Sequence, residues 1–356
     1  MVKRRTLIAS IRYVGNKIAV FTLQSLGYDV AALNTVQFSM LISFSPLIPD
    51  VVGGNHTGYR QWTGTKVSAQ EVTDLYDGLR QSYLDDFDMM LSGYIPGAEA
   101  VVAVGDIAKE LKEKNKRSPS GFFWVLDPVM GDNGKIYVEE DVVPAYKGLI
   151  QFADLILPNQ FEAELLSDLK IVGMASLKAA IQALHEKYRV PHVVITSVNF
   201  SPSGQPPSHS SVVGSSMTSA GNSRLFQITF PSIDCYFCGT GDMFGALITA
   251  RMREAVGRVP GLVDRASWLS DDSVAPTELP LARATEKVLA SMHEVLTKTR
   301  DDMQAVMDRT RASLAEEDRA SGKGEQQIKS KASELRLVQN LPSLQDPRVQ
   351  FRARDV

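Results

Sequence analysis

"ADLILPNQFEAELLSDLKIVGMASLKAAIQALHEKYRVPHVVITS" (Ala153–Ser197) opens and closes on apolar runs, 153–159 and 192–197, with the helical pattern "SLKAAIQALHEKY" (176–188) between them. Runs that are apolar at almost every position suit strands buried on both faces. A strand, a helix and a second buried strand in that order imply parallel pairing through a right-handed crossover. The pattern extends outward in both directions. "RTLIASI" (5–11), "DVAALNTVQF" (29–38), "DMMLSGY" (88–94), "GFFWVLDPV" (121–129) and "SRLFQITF" (223–230) read as further strands. "SAQEVTDLYDGLRQSYL" (68–84), "GAEAVVAVGDIAKELKEKNK" (97–116) and Leu281–Glu317 read as helices. Ser68 is the expected N-cap of the first, with Glu71 completing a capping box. The sequence therefore predicts an α/β fold, a central mostly parallel sheet flanked by helices on both faces.

With 356 residues, 44% apolar and 22% charged, the chain can bury a large core. The formal charge of −3 carries no broad basic excess, which argues against nucleic acid as the main partner. Two cysteines, Cys235 and Cys238, do not make a disulfide framework, so a reducing compartment is expected. Their C-x-x-C spacing admits a redox or zinc reading, but no second pair supports it. No apolar run is long enough to span a bilayer, and "MVKRRTLIAS" lacks the h-region of a signal peptide. No internal repeat and no second core are visible. One domain is expected over 1–320, with a polar, proline-bearing loop at 254–280 and a C-terminal extension, 321–356, packing on the same domain.

Ligands of open parallel sheets collect at the carboxyl ends of the strands. Asp127 and Asp132 lie there in "DPVMGD", Asn159 and Glu162 in "PNQFE", Thr196 and Ser197 at the end of 192–197, and Thr240 and Asp242 in "GTGD". Each alone is also ordinary turn chemistry. Four such groups at one sheet end favour a site. "CGTGD" is the sharpest of them. Gly239, Thr240 and Gly241 precede a helical pattern, so their N–H groups and the helix dipole make an anion site. Asp242 is either a plain helix-start acid or a general base beside a phosphoryl-binding turn.

"YVGNKIAVFTLQSLGYDVAALNTVQFS", "NHTGY", "LDPVMGD", "LPNQFEAELLS", "VVITS" and "FCGTGDMFGAL" together resemble the pyridoxal kinases of the ribokinase-like superfamily. "GTGD" and "NxxE" belong to the whole superfamily, while "YVGN" and "QFS…NHTGY" are specific to the vitamin B6 branch. The resemblance implies ATP-dependent phosphorylation of the 5′-hydroxymethyl group of pyridoxal, pyridoxine and pyridoxamine. It implies Asp242 as base and Gly239, Thr240 and Gly241 as anion hole. It implies Asp127, Asp132, Asn159, Glu162, Thr196, Ser197, Thr240 and Tyr137 on the ATP side, with Mg²⁺ near Asp127, Asp132 and Glu162. Thr57, Tyr94, Ser10 and Asp242 are implied on the pyridoxal side. A monovalent cation such as K⁺, a homodimer and a cytoplasmic location, with the nucleus left open, are further implications of the same kind.

Three features depart from that pattern. Ser10 stands only three residues before Tyr13, and Arg12 replaces a glycine. Ser39 and Asn55, adjacent in the family pattern, are separated by the apolar segment Met40–Gly54. Leu157 replaces a nucleotide-contacting threonine, a loss of about 0.5–1.5 kcal/mol if that hydrogen bond is net favourable. Two other readings stay open on the sequence: a hydroxymethylpyrimidine-type kinase, and a vitamer-binding protein whose catalysis is impaired by the 40–54 insertion and the short first strand.

Overall fold

The computed structural model describes residues 5–10, 15–40, 62–117, 121–198, 200, 208–314 and 324–356. Nine strands form one sheet: β1 (Arg5–Ser10), β2 (Asp29–Asn34), β5 (Met89–Ser92), β6 (Phe123–Leu126), β9 (Leu155–Ile156), β10 (His192–Val198), β11 (His209–Met217), β12 (Ser223–Pro231) and β13 (Arg354–Asp355). The order is β13-β12-β11-β10-β9-β6-β5-β1-β2. Pairing is parallel from β2 to β10 and antiparallel from β10 to β13. Two small hairpins stand apart, β3 (Val36–Met40) with β4 (Trp62–Lys66), and β7 (Gly131–Asp132) with β8 (Lys135–Ile136).

Neighbouring residues of one strand enter opposite cores. Leu7, Met90, Trp124 and Val193 join one apolar cluster, and Ile8, Met89, Phe123 and Val194 join the other. That is the period-2 alternation of a sheet covered on both faces. The first cluster packs under α2 (Ala69–Gln81), α3 (Ala98–Lys114), α4 (Val142–Leu149), α5 (Gln160–Ser167) and α6 (Met174–Tyr188). The second packs under α1 (Gly15–Ser25), α7 (Thr240–Val256) and α8 (Pro280–Ala312). Ser68 caps α2, and Ser68 and Glu71 form the expected capping box. Beyond α8, α9 (Glu325–Ala332) and α10 (Leu341–Gln345) pack back against α8, and β13 extends the sheet.

The run 29–38 is not a single strand. The chain breaks at Thr35, so β2 stays in the large sheet while β3 leaves to pair with β4. Val67 N–H donates to the Thr35 carbonyl at this break. The strand β11 and helices α1, α4 and α5 were not among the expected elements.

The 254–280 loop carries short 3₁₀ turns and is anchored at the amino end of the sheet. The guanidinium of Arg224 donates to the carbonyls of Ser216, Met217, Ser270, Asp271 and Val274. The Trp268 ring stacks on Phe123 at 3.9 Å. Ser267 Oγ donates to buried Asp154, whose other oxygen accepts Trp124 N–H. His192 bonds the Ser267 carbonyl at 2.7 Å and Ser216 Oγ at 2.7 Å. His185 bonds the Val190 carbonyl and Ser215 Oγ in the same way.

Burial lowers the pKa of both imidazoles to about 4. The unfolded histidines take up protons near pH 6.5, while the folded ones do not. Their contribution is therefore complete above pH 6.5 and is lost as pH falls towards 4, on the order of 3 kcal/mol for each if the shift is fully realised. Urea unfolding at several pH values checks this. The stability gap between the native chain and His192→Gln should narrow as pH falls from 6.5 to 4. A gap that stays constant would refute it.

Candidate active site

The parallel strands all end at one edge, and the site lies along that edge. Asp127 follows β6, Asn159 follows β9, and Thr196 and Ser197 lie in β10. The register between β10 and β11 shifts between Ile195 and Val198, a bulge that re-aims the intervening side chains. Asp127, Asp132, Tyr137, Leu157, Asn159, Glu162, Thr196, Ser197, Thr240 and Gly241 line one cavity of about 550 Å³. That size suits a small-molecule ligand. Tyr94, on the turn after β5, sits outside its lining; burial and the charges of Asp127 and Glu162, with smaller effects of Tyr94 and Tyr137, raise the pKa of the buried Tyr146 phenol, which donates to the Gly93 carbonyl. Ser10 closes β1 at the same sheet edge, opposite Asn34. Thr57, His56, Tyr59 and residues 41–54 of the insertion lie outside the described residues.

Gly239 is the N-cap of α7, with φ +85. That left-handed conformation favours glycine and starts the helix without a side-chain cap. Thr240, Gly241 and Asp242 then form the first turn, whose N–H groups have no partner four residues back. A Cβ on Gly241 would lie 3.8 Å from Asp127 Oδ2, so Asp127 closes directly onto this turn. The backbone of Cys238, one residue earlier, pairs with Glu334. The C-terminal segment thereby buttresses the turn, a contact with no local signal in the sequence. Neither cysteine is in a disulfide; Cys235 lines the cavity and Cys238 is buried.

Asn159 and Glu162 form a second capping box, at the start of α5. Glu162 Oε2 accepts Asn159 N–H at 2.9 Å, and Oε1 accepts Met130 N–H at 2.8 Å and Gly131 N–H at 3.3 Å. Asn159 Nδ2 donates to the Gly131 carbonyl at 2.8 Å. Gly131 has no room for a Cβ, which would meet the Lys135 carbonyl and the Phe161 ring. Glu162 is thus a structural tie between the β9–α5 turn and the β7–β8 hairpin, with most of its acceptor positions already used. Burial raises its pKa to about 7 against those amide bonds. Asp132, across the hairpin from Lys135, is exposed and accepts Asn133 N–H.

Burial and the nearby carboxylates of Glu162 and Asp242 raise the Asp127 pKa well above the ordinary carboxylate range. Among the described residues lining the cavity there is no lysine or arginine. Nor do three His, Cys, Asp or Glu side chains come close enough among the described residues to hold a metal alone. The carboxylates Asp127, Asp132 and Glu162 give one side of the cavity oxygen donors that fit a hard divalent cation sharing its coordination with a phosphate-bearing ligand.

Residues 91–266 match the family described as phosphomethylpyrimidine kinase. The pyridoxal kinase of Homo sapiens is 33% identical over 350 residues, covering 96% of this chain and 94% of that protein. The pyridoxal kinase of Ovis aries is 33% identical over 351 residues, with the same coverage. The chain belongs to the pyridoxal kinase family. A solved pyridoxal kinase of Leishmania donovani, in complex with ADP and pyridoxine, superposes on the whole chain with a TM-score of 0.75 at 26% identity. The ribokinase-like fold expected from the sequence is therefore the fold of this chain.

Asn159→Ala removes both the cap on α5 and the tie to Gly131. It should cost about 1–2 kcal/mol, read as a lower urea midpoint. An unchanged midpoint would mean that the capping box does not support the fold.

Proposed function

We propose that this chain transfers the γ-phosphoryl group of ATP to the 5′-hydroxymethyl group of pyridoxal, and likewise of pyridoxine and pyridoxamine. The anion turn carries the reading. Left-handed Gly239 opens α7, Thr240 and Gly241 of its first turn line the cavity with Asp127, and Asp242 of the same turn acts electrostatically on Asp127. Asp242 accepts the proton of the attacking hydroxyl, and the amides of 239–241 with the α7 dipole hold the charge that develops on the transferred group. Thr196, Ser197, Asn159 and Tyr137 contact the nucleotide from the cavity wall. Ser10, Thr57 and Tyr94 hold the vitamer.

Asp127 and Asp132 would hold Mg²⁺, with Glu162 contributing its charge from behind. When bound, the ion supplies the positive charge that the cavity wall lacks. A monovalent cation such as K⁺, a homodimer and a cytoplasmic location belong to the same proposal and rest on the resemblance.

The match to phosphomethylpyrimidine kinase favours a second reading, a hydroxymethylpyrimidine acceptor. A coupled assay with Mg·ATP and a panel of hydroxymethylated heterocycles separates the two. Phosphorylation of pyridoxal but not the pyrimidine is expected, and the reverse order would replace our proposal. Binding of pyridoxal without turnover would mark a vitamer-binding protein. In the same assay Asp242→Ala should lower kcat by about 10²–10⁴-fold while the ATP dissociation constant stays within a few-fold. Near-native turnover in that variant would remove Asp242 from the role of base.

A further inference from the structure

A second cavity, of about 360 Å³, opens at the far end of α7 from the anion turn. Its walls are the last turns of α7, the first turns of α8 and the C-terminal tail. At 1.5 Å per residue, Glu254 in this wall stands roughly 20 Å along α7 from Thr240. Among the described residues, none lines both this cavity and the one at the strand ends.

Charge sets the second cavity apart. Arg251, Arg258, Arg283, Lys287 and Arg352 line it against only Glu254, Glu278 and Glu286. That is an excess of two positive charges in a chain whose formal charge is −3. The carboxylates are shared rather than matched one to one. Glu254 pairs with Arg251 at 2.7 Å, Lys287 at 2.6 Å and Arg258 at 2.5 Å. Buried Glu286 pairs with Arg283 at 3.2 Å and Arg352 at 2.8 Å, and also accepts Ala353 N–H. Glu278 takes a further bond from Arg283 at 2.6 Å. The pairs hold the cations together without neutralising them, and the surplus like charge is repulsive until an anion meets it.

Arg258 and Arg352 are the exposed members of this group, and each spends one nitrogen on its carboxylate. A guanidinium has five N–H donors, so both keep donors for a ligand. Ala255, Val259, Pro280 and Val349 add an apolar stretch to the same wall. A phosphate monoester matches this arrangement. It brings close to two negative charges at pH 7 and three acceptor oxygens, which guanidinium forks bind well. Its organic group would rest on the apolar stretch, and the cavity volume limits that group to a small one. We propose that this cavity binds a small soluble phosphate monoester, at a site separate from the one that performs the reaction.

Calorimetry with glycerol 3-phosphate and inorganic phosphate tests this, on protein whose strand-end cavity is first saturated with pyridoxal, Mg²⁺ and a non-hydrolysable ATP analogue. One equivalent of glycerol 3-phosphate should bind the native chain, and more tightly than inorganic phosphate does. The double variant Arg258→Gln/Arg352→Gln should bind the ester at least about 10-fold more weakly, the scale of a lost charge-assisted hydrogen bond. Its urea midpoint, and its turnover of pyridoxal without the ester, should stay native. Arg258→Lys/Arg352→Lys, which keeps the charge but not the fork, should recover part of the affinity. No binding by the native chain, or equal affinity in the native chain and the glutamine variant, overturns the proposal. Equal affinity for the ester and inorganic phosphate overturns the assignment to an ester. Binding to phosphatidic acid vesicles with none to glycerol 3-phosphate overturns it in favour of a lipid headgroup.

Discussion

The carboxylate of Glu162 accepts N–H groups from Asn159, Met130 and Gly131, and so fixes two turns that are distant in sequence. One turn starts α5 behind the short strand β9, and the other is the β7–β8 hairpin that carries Asp132 and leads to Tyr137. Strand β9 is only two residues long, so sheet pairing alone holds this part of the edge weakly. A buried carboxylate bound by three amides is a strong constraint, because each amide left unsatisfied would cost about 1–3 kcal/mol. The position of Asp132, the depth of the cavity and the placing of Asn159 all depend on it.

The same carboxylate takes part in a local concentration of negative charge. Asp127 lies between Glu162 and Asp242 in its electrostatic influence, and its pKa rises accordingly. Apart from the amides that Glu162 binds, the fold gains nothing from bringing these carboxylates together, and no lysine or arginine is among the described residues lining the cavity. The crowding is explicable if positive charge arrives with the ligand, in a metal ion and in the amides of the anion turn. Stability is then lower in the empty site and recovered on binding, the usual relation between a functional site and its fold.

Much of this was legible in the residues. Continuous apolar runs such as "HVVITS" have one economical explanation, a strand covered on both faces, and the alternation of Val193 and Val194 between two cores bears that out. "GTGD" before a helical pattern announced a glycine-led helix start, because few residue types tolerate the left-handed N-cap at Gly239. Other features had no local signature. β11 is serine-rich and is specified by its antiparallel neighbours β10 and β12. The order within 254–280 comes from Arg224, Asp154 and His192, all remote in sequence. The capping box at Asn159 and Glu162 has the same spacing as the one at Ser68 and Glu71, but its bonds to Met130 and Gly131 have no local signal.

The segment from Met40 to Gly54 can be weighed against the hairpin that precedes it. β2 ends at the edge where the site is built, and the chain passes directly into β3, which pairs antiparallel with β4 up to Met40 opposite Trp62. Residues 41–61 therefore leave and re-enter the fold at one hairpin end. Lengthening a connection whose ends are already held together costs little, about 0.6 kcal/mol for each doubling of its length. The insertion thus puts almost no strain on the sheet. Stability and activity are separable here: deletion of 40–54 should leave unfolding nearly unchanged whatever it does to the turnover of pyridoxal.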